Sequence, residues 1–273
     1  MLKIIEIENH KGNKLVPRII KPKKMNEKKF IQSLFELINN NKKYPSYQAE
    51  RRVDIFINFF LEDILTSYFP KSKVKFIASE FPLKKENNNQ STNVDFLCVK
   101  ETNDNKTILF VELKTDAFSF DANQFNTYLH YKKEQNWNFC VEGIKRIALS
   151  KNLSFSTRLK YYHLVKKLFQ SGLIDYQKER FDEIELIIKK EHSASQNDKQ
   201  KYKQKFYYLF QNIIFDCSPI SIEVVYLAPD SIRNNKGFND QEVHLISLNR
   251  LPDNVAADYS EIWKLLIEML NKY

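Results

Sequence analysis

The stretch Asn93-Val-Asp-Phe-Leu-Cys-Val-Lys100 is followed, after the polar run Glu101-Thr-Asn-Asp-Asn-Lys106, by Thr107-Ile-Leu-Phe-Val-Glu-Leu-Lys114. Both outer segments are rich in β-branched and aromatic residues, and the polar run between them reads as a hairpin loop, which predicts two antiparallel strands. Each strand carries charge inside an otherwise apolar texture: Asp95 in the first, Glu112 and Lys114 in the second. Side chains alternate across a strand, so Glu112 and Lys114, two apart, project from one face. Pairing through the hairpin lets Asp95 approach Glu112. Burying two carboxylates and an ammonium is costly unless they pair with each other or bind a cation. The plainer alternative is an ion-pair ladder on an exposed sheet face.

Outward from this pair, the strand texture begins earlier, where residues 73–81 alternate apolar and polar positions. A long helix precedes it over about 47–68, with Val53, Phe56, Ile57, Phe60, Ile64 and Leu65 as its buried stripe. Residues 1–46 form an N-terminal extension with an alternating start at 3–8, a basic linker around Lys21, and one helix at 27–38. That helix gathers Phe30, Ile31, Leu34, Phe35 and Ile38 on one face. Beyond Lys114 the pattern predicts a helix over 121–134 and a helical insertion over about 141–211, broken at Gly172 and near 192–197. A buried strand over 221–228 and a further strand over 242–248 follow. A final helix opens at Ser260, a plausible N-cap, and runs to about Asn271. Helix, three strands, helices and then more strands make an α/β protein with a mixed central sheet flanked by helices, because early strands join as hairpins and later ones return through helices. Residues 47–273 would form this domain.

The 273 residues are 42% hydrophobic and carry a net charge of +9, which fits a folded chain with a polyanionic partner, although an AT-rich genome alone enriches lysine and asparagine. Cys98, Cys140 and Cys217 are scattered and odd in number, so neither a zinc site nor an iron–sulfur cluster nor a disulfide framework is expected. Glu6 and Glu8 interrupt the apolar run a signal peptide needs, and no run reaches the ~18 apolar residues that cross a bilayer. The expectation is a soluble cytoplasmic protein with no membrane partner.

Glu-x-Lys alone says little in so lysine-rich a chain; Glu27-Lys-Lys29 matches it too. Strand placement, the neighbouring Asp95 and the preceding helix single out the second match. Two carboxylates suit a hard divalent ion such as Mg2+, which would hold a phosphate oxygen and activate a water. Lys114 would orient that water or stabilise charge on the phosphate.

Asn93-Val-Asp95 followed by Phe110-Val-Glu-Leu-Lys114 resembles the PD-(D/E)XK nucleases over about residues 48–131, with a looser match at the strand 222–227. Val94 stands where the family has its proline. Gln124-Phe-Asn-Thr-Tyr128, in the following helix, resembles the Gln-xxx-Tyr motif of the RecB-like and lambda-exonuclease-like branches, and a spacing of four puts both side chains on one helix face. The resemblance implies a restriction-endonuclease-like core of helix, three antiparallel strands, helix and strand. It implies a nuclease dependent on Mg2+ (or Mn2+) that hydrolyses phosphodiester bonds, with DNA as substrate and exonucleolytic cleavage as one mode. Asp95, Glu112, Lys114 and Glu50 would be catalytic, with Asp95, Glu112, Leu113 and Glu50 as the metal set. Gln124 and Tyr128 would contact nucleic acid or support the catalytic groups. Glu50, near the start of the first helix, stands in for a helical glutamate of the family, with Asp54 and Glu62 as alternatives. The competing reading is a catalytically inactive module of the same fold that binds nucleic acid or a protein partner.

Other features read as ordinary structure. Lys199-Gln-Lys-Tyr-Lys-Gln-Lys205 suits a solvated helix face, and Tyr161-Tyr162 and Tyr207-Tyr208 sit at helical spacing beside leucines. The five histidines show no ligand spacing, and four glycines are too few for a phosphate-cradling loop.

Overall fold

The computed structural model describes residues 50–270, apart from 85–90, 104, 152, 177, 218, 252–254 and 256–258, together with 5–6, 18–19, 29, 31–32 and 34–36. Helix α1 spans Glu50–Tyr68 and buries Val53, Ile57, Phe60, Leu61, Ile64 and Leu65. The stripe is rotated slightly from the expected one: Leu61 joins it, and Phe56 is only half-buried. Pro70 and Lys71, the latter at φ 71, turn the chain out of the helix.

The strands are β1 Lys73–Lys84, β2 Ser91–Glu101, β3 Lys106–Leu113, β4 Ser221–Ala228 and β5 His244–Ser247, in the sheet order β1-β2-β3-β4-β5. The first three are antiparallel neighbours, while β4 and β5 add in parallel. The sheet is therefore mixed, as expected. β1 continues past the predicted end at Phe81 because it is an edge strand, where Pro82 forfeits no ladder bond to an outer neighbour. A register shift between Phe76 and Ala78 kinks the same strand.

β3 is buried along nearly its whole length, and its two faces serve two cores. Leu109, Val111 and Leu113 join α1, Val225 and Leu227 on one side, together with Trp263 of helix α7 (Ser260–Leu270). Ser260 is the first helical residue of α7 rather than its cap; Asn271 lies outside the described residues. Phe35, among the helical residues 34–36, packs edge-on against Phe56 at 4.9 Å, so the N-terminal extension contributes to this core. The remainder of the predicted 27–38 helix lies outside the described residues.

Ile108 and Phe110 face the other side, with Val224 and Tyr226. Helices α2 Ala122–Glu134, α3 Trp137–Ala148, α4 Phe155–Gln170, α5 Lys178–Ser193 and α6 Gln196–Gln211 share this core through Tyr128, Trp137, Tyr162, Phe181 and Phe206. The expected breaks at Gly172 (φ 64) and between α5 and α6 are present. An additional break separates α3 from α4, where Ser154 caps the new helix by accepting from Thr157 N–H. The insertion also holds a two-residue ladder between Asp175–Tyr176 and Phe215–Asp216, too short to leave a periodic signal. Of the 199–205 lysines on α6, Lys201 and Lys205 are exposed, Lys205 pairing with Glu183 at 3.1 Å, whereas Lys199 and Lys203 are half-buried and Lys203 lies over the Phe155 ring.

At one end of the sheet Lys100 Nζ lies 2.7 Å from Glu223 Oε2, which His244 Nε2 also approaches at 3.2 Å. The Phe69 ring covers Lys100 Nζ at 4.6 Å. This cluster lies beside Phe69, just past the C-terminal end of α1, at the end of the sheet away from Asp95 and Glu112.

Candidate active site

β2 and β3 stay paired as far as Phe96 and Val111. One step further the ladder opens, and the Asp95 side chain takes over: its Oδ2 accepts the Leu113 N–H at 2.8 Å. The next amide, Lys114 N–H, turns the other way and donates to Leu227 O at 2.9 Å. Leu113 is thus held between β2 and β4, and its main-chain carbonyl is its only possible metal ligand. Lys114 falls just past the end of β3 rather than within it.

Glu112 and Lys114 do project together, and their Oε1 and Nζ lie 2.6 Å apart. Glu112 is 1% exposed and Lys114 7%, which rules out a solvent-facing ion-pair ladder. The second Glu112 oxygen, Oε2, lies 2.7 Å from the Tyr128 hydroxyl. That hydroxyl is also 2.7 Å from Asn93 O and accepts from Gln124 Nε2 at 2.7 Å. Gln124 Nε2 reaches Asn93 O as well, at 3.2 Å. A phenol has one proton, so Tyr128 donates to either Glu112 or Asn93, with Gln124 completing its acceptor side. Burial, reinforced by Glu112, pushes the Tyr128 hydroxyl well above its ordinary range and keeps it a neutral donor.

Tyr128 is fully buried, so of its two expected roles the geometry gives it support of Glu112 rather than contact with a surface-bound strand. Gln124 is half-buried at the same network. Asp95 is pushed up to about 7 by burial first and by Glu112 second, against the opposing pull of the Leu113 N–H and Lys114. Two acidic groups therefore share a site that disfavours charging both.

Two further residues bear on this site without a signal in the sequence. Tyr226 is opposite Glu112 in the parallel β3–β4 register, on the same sheet face. Its buried hydroxyl has no hydrogen-bond partner among the described residues. Burial, then Glu112, Asp95 and Asp121, raise its pKa. In the sequence it is one apolar-looking member of a buried strand; only the register with Glu112 would have marked it. Glu80, on β1, adds to the negative field at Asp95 and accepts from Asn93 Nδ2 at 3.1 Å. Its φ of 53 is the left-handed conformation that non-glycine residues rarely adopt.

Glu50 is the first residue of α1, and its side chain lies outside the described residues. Asp54 is half-buried one turn on. Glu62 is committed elsewhere, accepting the Phe76 N–H at 2.7 Å. Among the described residues no three His, Cys, Asp or Glu side chains converge on a metal-sized site, and no helix is long and apolar enough to cross a membrane. Comparison with protein-family models, with curated proteins and with solved structures gives no match.

Proposed function

We propose that the chain is a divalent-cation-dependent nuclease of the PD-(D/E)XK type with a restriction-endonuclease-like core, hydrolysing phosphodiester bonds of DNA. The observation that carries this reading is the buried Glu112, flanked by Lys114 and Tyr128 and set beside an Asp95 that resists ionisation. Such a grouping is expensive for a fold to keep and has an evident use in binding a cation.

The donor set fits Mg2+ (or Mn2+). It consists of oxygens alone: Asp95, Glu112 and the Leu113 carbonyl, with Glu50 as a further candidate. Mg2+ is commonly held by one or two carboxylates and completes its shell with water and substrate oxygens, so a third protein carboxylate is not required. When bound, such an ion polarises a phosphate oxygen and lowers the pKa of a water. The chain's own residues supply the rest. Lys114 places a cationic donor at Glu112, where it can hold a phosphate oxygen or orient a water as charge builds. Tyr128 fixes Glu112, and Gln124 fixes Tyr128, so the carboxylate is oriented before substrate arrives.

Purified protein incubated with linear single- and double-stranded DNA and Mg2+ tests the proposal. Wild type is expected to degrade DNA, and Lys114→Ala to do so at least ~100-fold more slowly, the scale of losing one transition-state donor. Equal, negligible degradation by both sinks the catalytic reading. A second reading, an inactive nucleic-acid-binding module of the same fold, is favoured by the engagement of both Glu112 oxygens within the chain, by Lys114 and by Tyr128. It expects salt-sensitive DNA binding that survives Asp95→Ala, with no turnover by wild type.

A further inference from the structure

Phe118 is 98% exposed. It sits in the connection between Lys114 and Gln124, whose two ends both belong to the site just described. Four residues of extended chain span at most about 14 Å, so Phe118 lies within about that distance of Lys114. The turn that presents it, Ala117–Ser119, is tied down on all sides. Asp116 Oδ1 accepts Ser119 N–H at 2.8 Å, and Ser119 Oγ donates to Asp116 O at 2.9 Å. Asn235 Nδ2, from the β4–β5 connection, donates to Ala117 O at 2.8 Å. Thr115 on one side is buried. Phe120 on the other packs against Phe125 and Phe238 at 5.5 and 5.7 Å. These bonds fix the backbone on either side of Phe118, whose ring projects into solvent.

A single exposed apolar residue is ordinary on a protein surface. A fully exposed phenylalanine near a site proposed for phosphate chemistry, in a chain of net charge +9, has a fitting complement: the face of a nucleobase. The exposed Lys236, next to Asn235 on the bracing loop, adds a cation for the adjoining backbone. In a duplex the base faces are already stacked on one another, and only an unpaired base offers one.

We infer that Phe118 is a base-stacking platform that directs single-stranded nucleic acid to the Asp95–Glu112–Lys114 site. This rests on the nuclease reading and narrows its substrate. The test is binding, in EDTA and at low salt, of a 2-aminopurine-labelled single strand and of a blunt hairpin duplex to wild type, Phe118→Ala and Phe118→Trp. Cleavage by the same proteins in Mg2+ is measured alongside, as are their elution volumes. Phe118→Ala is expected to weaken single-strand binding roughly five- to a hundred-fold, the scale of losing one stacked base, and to leave hairpin binding within about twofold. Phe118→Trp is expected to retain affinity and to show indole quenching on binding. If wild type cleaves DNA while Phe118→Ala binds single strands equally well, the platform is overturned and the nuclease reading stands. If wild type elutes as a dimer and Phe118→Ala as a monomer, the ring serves a second copy of the chain and the platform is likewise overturned. If wild type neither binds nor cleaves any DNA, both fall together.

Discussion

Asp95 carries the sharpest conflict between stability and chemistry. Its carboxyl titrates near 7 in the folded chain against 3.8 for an unperturbed aspartate. A carboxylate whose folded pKa is raised opposes folding once it ionises. The penalty is absent below about pH 4, grows between about 4 and 7, and is complete above. Asp95→Asn keeps an oxygen for the Leu113 N–H and removes the charge. In EDTA at pH 8 it is expected to stabilise the protein by on the order of 2 kcal/mol, and at pH 4 to have little effect, while eliminating cleavage. Thermal unfolding of both proteins across this range checks the sign; a variant less stable at pH 8 would refute it. Tyr226 allows a second test. Its hydroxyl is buried beside Glu112 without a protein partner among the described residues. Removing a polar atom that makes no bond costs nothing and relieves desolvation. Tyr226→Phe is therefore expected to melt at or above the wild-type temperature in EDTA. If the hydroxyl serves the site, Mg2+-supported cleavage falls about tenfold or more; unchanged cleavage would leave the residue a packing role only.

Among the elements, the end of the sheet opposite the site is where charge stabilises the fold. Glu223 on β4 is held at about 2 by its hydrogen bond to His244 and then by Lys100, against the cost of burial. Its folded pKa is below the unfolded value near 4.5, so its contribution is present above pH 4.5 and lost as pH falls towards 2. Glu223→Gln is expected to cost on the order of 2 kcal/mol at pH 6 and progressively less from pH 4 to 2.5, measured by urea denaturation; a cost independent of pH would assign it to packing alone. The same elements show what the sequence could disclose. β2 and β3 were legible because Asp95, Glu112 and Lys114 interrupt β-branched runs at a spacing that alternation converts directly into a shared face. α2 was legible because Asp121, its N-cap, and the Gln124–Tyr128 spacing are local. Tyr226 was not, since its place beside Glu112 depends on a parallel register across more than a hundred intervening residues. Glu80 was hidden by a backbone conformation at a strand edge that no side-chain pattern encodes. The α3–α4 break was missed because Ser150 and Ser154 fall within a stretch that remains helical in periodicity.

For the whole molecule, the sheet divides two cores and holds the buried Glu112 and Lys114 at one end. α1 and α7 close the face bearing Leu109 and Val111, and α2–α6 close the face bearing Phe110. The residues proposed for chemistry sit where β2 and β3 part, flanked by the head of α2 and the turn that carries Phe118. A nucleic-acid strand reaching this end would meet a chain of net charge +9. A polyanion bound through its backbone releases counterions, so affinity must fall steeply with salt. For a single strand engaging about four phosphates, the expected loss between 50 and 200 mM salt is roughly fifty-fold, from a slope near 0.7 per phosphate. Phe118→Ala is expected to lower affinity at every salt concentration without changing that slope, because stacking releases no counterions, whereas Lys236→Ala should reduce the slope by a fraction of one. Fluorescence titrations of all three proteins at four salt concentrations separate the two contributions. An affinity for single-stranded DNA that ignores salt would remove the electrostatic basis for assigning this end of the sheet to nucleic acid.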